Sequence, residues 1–274
     1  MQTQLIGKIL QKYMNRIYEI SSTDHKECDI SVICCFHNSS KYIRDSLLSV
    51  CYQKSCSYEL MLLDDASTDD SLKLVQDILY SSKIKFKLYK SETNIGVPAA
   101  RNFLIQNSKG SLVAIHDSDD CMIPYRLAIQ YNYMINNPYI DILGCHAIKI
   151  DDKDSFLGFM HYPPRDHDDI ISMFCGKVNP MIDPTIMMKK SEFISLGLYS
   201  VMQKDRLAQD FDMWIRASMV GKKLGNIQIP LVSYRVNPDG LTQQKKDEMI
   251  KSHVHIQNKY RTYLESIRVK NVKK

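Results

Sequence analysis

The sequence predicts an α/β fold with a mostly parallel central sheet flanked by helices. Four short apolar runs, at residues 30–36, 60–63, 84–89 and 112–115, alternate with stretches whose apolar residues recur at helical spacing. Such alternation indicates strands joined by right-handed helical crossovers, which makes the strands parallel. Polar clusters follow three of the runs, at the positions where parallel sheets bind ligands.

The first two strands are each followed by a helix. Run 30–36 (ISVICCF) is short and rich in β-branched residues, as buried strands are, and apolar residues spaced three and four apart over 42–51 predict the next helix. Run 60–63 stops at two aspartates. Apolar residues over 72–79 then predict a second helix.

The remaining elements follow from the same signals. Residues 84–89 alternate as a strand, and a helix with Pro98 in its first turn leads to the strand 112–115. Beyond residue 125 the order is less regular. There we expect helices ending at 136 and over 168–175, 209–220 and 243–267, and strands near 140–150, 155–161, 185–188, 223–228 and 231–236.

The composition is that of an ordinary globular protein. Of 274 residues, 44% are hydrophobic and 24% charged, which excludes a collagen, a disordered tail and a long coiled coil. The 36 Lys and Arg against 31 Asp and Glu leave a net charge of +5. No recognised nucleic-acid motif occurs, so we expect no nucleic-acid partner. Eight Cys without a CxxC spacing predict reduced thiols and a cytoplasmic location.

We divide the chain into three parts. Residues 1–28 have apolar residues at helical spacing and lack the features of a signal peptide, so we predict an amphipathic helix. This helix packs on its own domain or, alternatively, on lipid or a partner. Residues 29–240 form the main domain. Residues 241–274 form a C-terminal helix with a basic tail, which could hold the protein at an anionic membrane.

Three polar clusters are expected to share one pocket, because the carboxyl ends of parallel strands meet at one edge of the sheet. His37 and Asn38 follow the first strand, Asp64 and Asp65 follow the second, and the segment 117–120 (DSDD) follows the fourth.

Each acidic cluster has two interpretations. Asp117 and Asp119 lie two apart, so in an extended segment both can point toward one hard cation such as Mg²⁺ or Mn²⁺. The alternative is a solvated turn that caps the next helix. Asp64 and Asp65 either form a turn and helix start or accept a hydrogen bond from a ribose hydroxyl or a base imide.

Two further segments are candidates for binding and catalysis. Asn94 and Gly96 lie in a turn before a helix start, which attracts phosphate, and Arg101 lies one turn into that helix. An ordinary loop with an exposed arginine is the alternative. Asp210 begins another predicted helix and is either its cap or a general base in the pocket. Asp212 faces elsewhere and is the weaker candidate.

Taken in order, five motifs resemble inverting glycosyltransferase family 2, whose nucleotide-sugar domain has the GT-A fold. They are ISVICCFHNSSKYIRDSLLSVCYQ, MLLDDASTDD, NIGVPAARN, HDSDD and AQDFDMWIR, and the resemblance spans about residues 30–237. It implies a Rossmann-like nucleotide-sugar half at 29–125 and an acceptor half at 126–240.

The resemblance also implies a role for each candidate residue. The nucleotide-facing residues would be His37, Asn38, Asp64, Asp65, Asn94, Gly96, Arg101, Asp117 and Ser118. Asp119, together with Asp117, would hold Mn²⁺ or Mg²⁺ at the diphosphate, and Asp210 would be the catalytic base.

Three residues depart from the family pattern. Cys35 replaces the usual Pro of the first strand, His37 replaces the usual Tyr before Asn, and Gln209 replaces the usual Glu before the catalytic Asp. His37 can still stack on a base, but it can alter the base preference. The Gln209 replacement removes a negative charge beside Asp210.

The expected function is transfer of a sugar, with inversion, from a nucleotide-diphosphate donor, expected to be a UDP-sugar, to a hydroxyl of a glycan or lipid-linked glycan. Residues 183–185 and the loop 199–208, the latter as a mobile lid, would line the acceptor site. The expected location is cytoplasmic, with peripheral contact at the inner membrane surface. The alternatives are a sugar nucleotidyltransferase and a non-catalytic nucleotide- or glycan-binding module.

Overall fold

A computed structural model describes residues 29–160, 163–176 and 178–272 of the chain. The amphipathic helix predicted for residues 1–28 and the last two residues of the basic tail lie outside the described residues. The first half has the predicted order of elements: β1 (Ile30–Phe36), α1 (Ile43–Cys51), β2 (Glu59–Asp64), α2 (Ser71–Ser81), β3 (Lys85–Lys90), α3 (Val97–Asn107) and β4 (Leu112–Ile115).

In the second half, strands and helices do not alternate regularly. Its elements are β5 (Cys121–Met122), α4 (Arg126–Asn136), β6 (Ile142–Ile150), β7 (Phe156–Phe159), α5 (His167–Met173), a short 3-10 helix (Asp183–Thr185), β8 (Met187–Lys189), α6 (Lys190–Ser195), α7 (Gln209–Met219), β9 (Leu224–Arg235), α8 (Leu241–Gln244), α9 (Lys246–Lys259) and α10 (Arg261–Val272).

All nine of these strands belong to one sheet, in the order β3-β2-β1-β4-β8-β6-β9-β5, with β7 paired to β6. The strands β3, β2, β1 and β4 are parallel. Strand β8 is antiparallel to both β4 and β6, and β6 is parallel to β9. The predicted α/β architecture, a mostly parallel central sheet flanked by helices, is therefore confirmed.

Helices cover both faces of the sheet because successive strand residues point to opposite sides. On β1, Val32 packs in one core cluster with Leu47 of α1, whereas its neighbour Ile33 packs in the other with Leu104 of α3 and Trp214 of α7. Every one of these side chains is buried. The two cores hold the polar ends of the strands on a rigid sheet.

Two predicted boundaries are wrong. The two strands expected at 223–228 and 231–236 are one strand, β9, in which Pro230 lies opposite His146 where the register with β6 shifts. A bulge accepts a residue that has no N–H to donate, so the proline does not end the strand. The terminal helix expected over 243–267 is divided at Tyr260, whose backbone (φ −110°, ψ 23°) is not helical.

The C-terminal helices pack on the sheet domain rather than projecting from it. Ile256 of α9 and Leu264 and Ile267 of α10 are buried in the same cluster as Trp214. Among the described residues, the helices are all too short or too polar to cross a membrane.

Asn102 of α3 ties this helix to the segment that precedes α7. Its side-chain amide donates to the carbonyl of Tyr199 (2.8 Å) and its carbonyl accepts from the Tyr199 N–H (3.0 Å). We expect Asn102→Ala to lower the free energy of unfolding by about 1–3 kcal/mol, because two backbone groups lose their partners. Urea denaturation measures this change.

Asn107→Ala is the matched control, because Asn107 is exposed at the end of the same helix and bonds only within it, to the carbonyl of Phe103. The change in the free energy of unfolding for Asn107→Ala should stay within about 0.5 kcal/mol. Equal losses for the two variants would contradict the assigned role of Asn102.

Candidate active site

The polar clusters predicted at the strand ends meet at one edge of the sheet. Phe36 of β1 is paired with Asp64 of β2, and the N–H of His116, just after β4, donates to the carbonyl of Ile33 in β1. Nδ1 of His37 lies 2.8 Å from the carbonyl oxygen of Asp65, so Nδ1 carries the proton and donates it.

Asn38 organises the turn after β2. Its backbone is in the left-handed region (φ 47°). Its N–H donates to the hydroxyl of Ser67 (3.1 Å), and its side-chain oxygen accepts from the N–H of Thr68 (2.8 Å). The amide nitrogen lies 3.4 Å from Nε2 of His37. Asn38 thus joins the ends of β1 and β2.

Asp64 and Asp65 have different partners. Asp64 is buried and accepts the N–H of Ser67 on Oδ1 (2.9 Å), whereas its Oδ2 has no partner within the described ranges. Asp65 accepts the N–H groups of Ile95 and Gly96, one on each carboxylate oxygen, both at 2.8 Å. Asp65 therefore holds the turn before α3, and a nucleotide contact of either aspartate stays a prediction.

The predicted turn residues Asn94 and Gly96 differ in exposure. Asn94 is exposed and Gly96 is buried. Gly96 has φ +83°, a conformation that side chains rarely adopt, and it immediately precedes α3. The turn therefore depends on glycine at this position.

Three residues of the acidic segment 117–120 have hydrogen bonds to two other parts of the protein. Ser118 shares a hydrogen bond with Ser39 (2.9 Å between hydroxyl oxygens). Asp119 accepts from the side-chain amide of Asn237 (3.0 Å), and Asp120 accepts from the backbone N–H of Arg235 (2.8 Å). The end of β9 thus holds the loop that follows β4.

Burial and neighbouring carboxylates raise the pKa of two residues of this segment, Asp119 and Asp120. Burial, and then the negative charge of Asp117, raises the pKa of Asp119. Burial, together with the charges of Asp119 and Asp117, raises the pKa of Asp120 well above its usual range. Oδ2 of Asp120 is buried without a partner in the described chain.

This donor set fits a hard divalent cation, since crowded carboxylate oxygens are its preferred ligands and its charge would relieve their repulsion. In the described parts of the chain, no group of three or more His, Cys, Asp or Glu side chains converges on one metal position. A cation held by Asp117 and Asp119 would therefore need further oxygen ligands, which a diphosphate and water can supply.

Arg101 is buried between carboxylates from two distant segments. Its guanidinium forms ion pairs with Asp117 (2.5 Å) and with Asp183, and it lies over the ring of Tyr199. Burial by itself lowers the pKa of Arg101, but Asp183 and Asp117 outweigh it and raise the pKa well above the usual range. The alternative interpretation, an ordinary loop with an exposed arginine, is thus wrong, and the nucleotide contact of Arg101 stays a prediction.

Asp183 connects Arg101 to the segment before α7. Its second oxygen accepts the hydroxyl hydrogen of Tyr199 (3.0 Å). Burial raises the pKa of Asp183 to about 7, against the opposing effect of Arg101, and the charges of Asp210 and Asp117 contribute in the same direction as burial. Residue 183, expected to line the acceptor site, therefore contacts Arg101 and lies within electrostatic reach of Asp210.

Asp210, the candidate base, is at the start of α7. Its Oδ2 accepts from the side-chain amide of Asn179 (2.7 Å). The pKa of Asp210 is raised overall. Burial is the main cause and the charge of Asp117 adds to it, whereas the nearby Arg101 acts in the opposite direction. The chain thus brings Asp210 within electrostatic reach of the acidic segment. Asp212 points away, toward Lys259 and Tyr260, as predicted.

Sequence patterns did not single out two of the residues that hold the site. Asn179 and Asn237 contact Asp210 and Asp119, respectively. Tyr199, at the start of the loop predicted to line the acceptor site, contacts Asp183. Asn179 lies before Pro180 and Asn237 before Pro238. An Asn-Pro pair is an ordinary turn signal, so it could not have indicated these contacts.

Known proteins share both the sequence pattern and the fold. The sequence model described as glycosyl transferase family 2 matches residues 31–196. The amylovoran biosynthesis glycosyltransferase AmsE of Erwinia amylovora is 25% identical over 82% of this chain and 83% of its own. The O-antigen biosynthesis glycosyltransferase WbnJ of Escherichia coli is 28% identical over 76% of this chain and 80% of its own.

Solved structures agree with the fold. The crystal structures of S. aureus TarS 1–349 in complex with UDP and with UDP-GlcNAc each align with a TM-score of 0.61, at 19% and 20% identity. They cover 82% and 76% of this chain, which spans 65% and 58% of the TarS chains. With its GT-A architecture and a family match over more than half its length, the chain belongs to glycosyltransferase family 2.

Proposed function

We propose that this protein transfers one sugar from a nucleotide-diphosphate donor to a hydroxyl group, with inversion at the anomeric carbon. The observation that carries the proposal is the position of Asp210, which lies within electrostatic reach of Asp183, Arg101 and Asp117. A base next to a donor-binding strand edge is the arrangement that a single displacement needs.

In this mechanism Asp210 accepts the proton of the acceptor hydroxyl as its oxygen attacks the anomeric carbon. The bond between that carbon and the diphosphate oxygen breaks at the same time. Asn179 orients the carboxylate of Asp210 by donating to its Oδ2. Positioned base catalysis of this kind contributes about 10²–10⁴-fold to the rate.

Asp117 and Asp119 are the residues that would hold Mn²⁺ or Mg²⁺. When bound, such an ion offsets the negative charge of a departing diphosphate, an effect that contributes several kcal/mol. Arg101 fixes the carboxylate of Asp117, and Asn237 fixes that of Asp119. Both carboxylates are thus oriented before any ligand arrives.

The donor we propose is a UDP-sugar, and the acceptor is a glycan or a lipid-linked glycan in polysaccharide biosynthesis. Similarity to TarS, solved with UDP and UDP-GlcNAc, supports the donor. The names of AmsE and WbnJ support the acceptor class. Peripheral contact of a cytoplasmic enzyme with an anionic membrane belongs to the same proposal, because residues 241–274 contain nine Lys and Arg against three Asp and Glu.

Membership of glycosyltransferase family 2 favours this function over the sugar nucleotidyltransferase and over the non-catalytic binding module. The deciding experiment measures UDP release from a panel of UDP-sugars with Mn²⁺ and polysaccharide or lipid-linked acceptors. We expect acceptor-dependent release that EDTA abolishes and Mn²⁺ restores. Release of pyrophosphate from a nucleoside triphosphate, or binding without turnover, would instead identify one of the other two classes.

Asp210→Asn separates chemistry from donor binding. The amide keeps the shape of the side chain but cannot accept a proton, so we expect turnover to fall about 100-fold or more while UDP affinity stays within about twofold. Calorimetry with UDP and Mn²⁺ and a single-turnover assay provide the two measurements. Turnover close to that of the unmodified enzyme would end the assignment of Asp210 as base.

The raised pKa of Asp210 predicts an acid limb in the pH profile. The base acts only when ionised, so kcat should rise with pH through this raised pKa and level off above it. Because burial moves the pKa upward, the midpoint should lie above the value of about 3.9 for a free aspartate. Single-turnover rates at saturating donor test this, and a profile that stays flat from pH 7 to below 4 would contradict it.

A further inference from the structure

The arginines around the candidate site are almost all committed to the protein itself. Arg101 is paired with Asp117 and Asp183. Arg126 is buried and donates to Gln130 and to the carbonyl of Ile115.

Arg235 likewise has its partners inside the protein. Its guanidinium donates to Asp154 and to the backbone carbonyls of Asp119 and Asp151. These three guanidinium groups therefore already have partners inside the protein, and the strand edge presents mostly carboxylates to an anionic diphosphate.

Arg206 is different, because it is exposed and has neither an ion pair nor a hydrogen bond within the described ranges. Its guanidinium lies directly against Gly96, in the turn that Asp65 holds. A Cβ on Gly96 would lie within 2.8 Å of three guanidinium atoms of Arg206. Glycine at 96 thus permits both the left-handed turn and the close approach of this cation.

The segment that carries Arg206 is anchored at the neighbouring residue. Asp205 is buried and accepts from the hydroxyl of Ser200 (2.8 Å) and from Nζ of Lys259 (3.0 Å). The same Nζ lies 2.8 Å from a carboxylate oxygen of Asp212 on α7. One ammonium of α9 therefore joins the Arg206 segment to the helix that bears Asp210.

We propose that Arg206 binds the diphosphate of the nucleotide donor and that Lys259 is a positioning residue that acts through Asp205 to hold Arg206 against Gly96. This inference rests on the proposed function, because it assumes a nucleoside diphosphate at the strand edge. A guanidinium suits the role, since its planar donors match phosphate oxygens and its charge does not titrate. No residue of this pair belongs to the predicted donor site.

The first test compares UDP with uridine by calorimetry in the presence of Mn²⁺. We expect Arg206→Gln to weaken UDP binding by about tenfold or more, the loss of a charge-assisted contact, and to leave uridine binding unchanged. The UDP affinity of Arg206→Lys should lie between that of the unmodified protein and that of Arg206→Gln. Lys204→Gln, which removes an equal charge from the same exposed segment, is the matched control and should keep UDP affinity within about twofold.

The outcomes separate this inference from the proposed function. If the unmodified protein binds no nucleoside diphosphate, the proposed function fails. If it binds UDP and Arg206→Gln binds UDP equally well, only the role of Arg206 fails. If Lys204→Gln weakens UDP binding equally, UDP is attracted by positive charge in general, and the assignment of Arg206 is also overturned. Arg206 is exposed, so its replacement should not impair folding, and thermal unfolding checks this.

A double-mutant cycle tests Lys259. We expect Lys259→Met to weaken UDP binding in the parent protein but to add little in the Arg206→Gln background, because both changes remove the same contact. A purely structural role would lower stability and weaken UDP and uridine alike in both backgrounds. Ser200→Ala removes a weaker hydrogen bond from Asp205 and gives the same comparison if Lys259→Met does not fold.

Discussion

The buried guanidinium of Arg101 joins the two halves of the candidate site. Asp117 comes from the loop after β4, whereas Asp183 comes from the short helix before β8. Removing one partner from such a buried pair costs about 3–5 kcal/mol, because the remaining charge is left without compensation in a poorly solvated place. Asp117 and the segment that contains Asp183 are therefore held in one fixed arrangement.

The same charge balance shapes the rest of the strand edge. Asp117, Asp119 and Asp120 lie within four residues, and repulsion among them adds to burial in raising the pKa of Asp120. Burial, together with the positive charge of Arg126, lowers the pKa of His116 to about 3. This imidazole therefore contributes no positive charge next to the acidic segment 117–120. For the function we propose, this surplus of carboxylates calls for a cation or an additional arginine when an anionic donor binds.

The C-terminal helices are an integral part of the fold around the candidate site. They lie beyond residues 31–196, where the family match ends. Nevertheless Lys259 of α9 bridges Asp205 and Asp212, and Ile256, Leu264 and Ile267 complete the core behind α7. The hydrogen bond from Lys259 and the charge of Arg216 outweigh the effect of burial and lower the pKa of Asp212.

The amino-acid sequence by itself determined the strand–helix order, the parallel core and the grouping of carboxylates at one edge. These follow from local periodicity and from the rule that parallel strands end on the same side. Only the tertiary structure decided which partner each polar group takes. Asn237 reaches Asp119 across 118 positions, and Arg101 reaches Asp183 across 82. Contacts at such separations leave no periodic signal, because they depend on how the packed elements place two side chains in space.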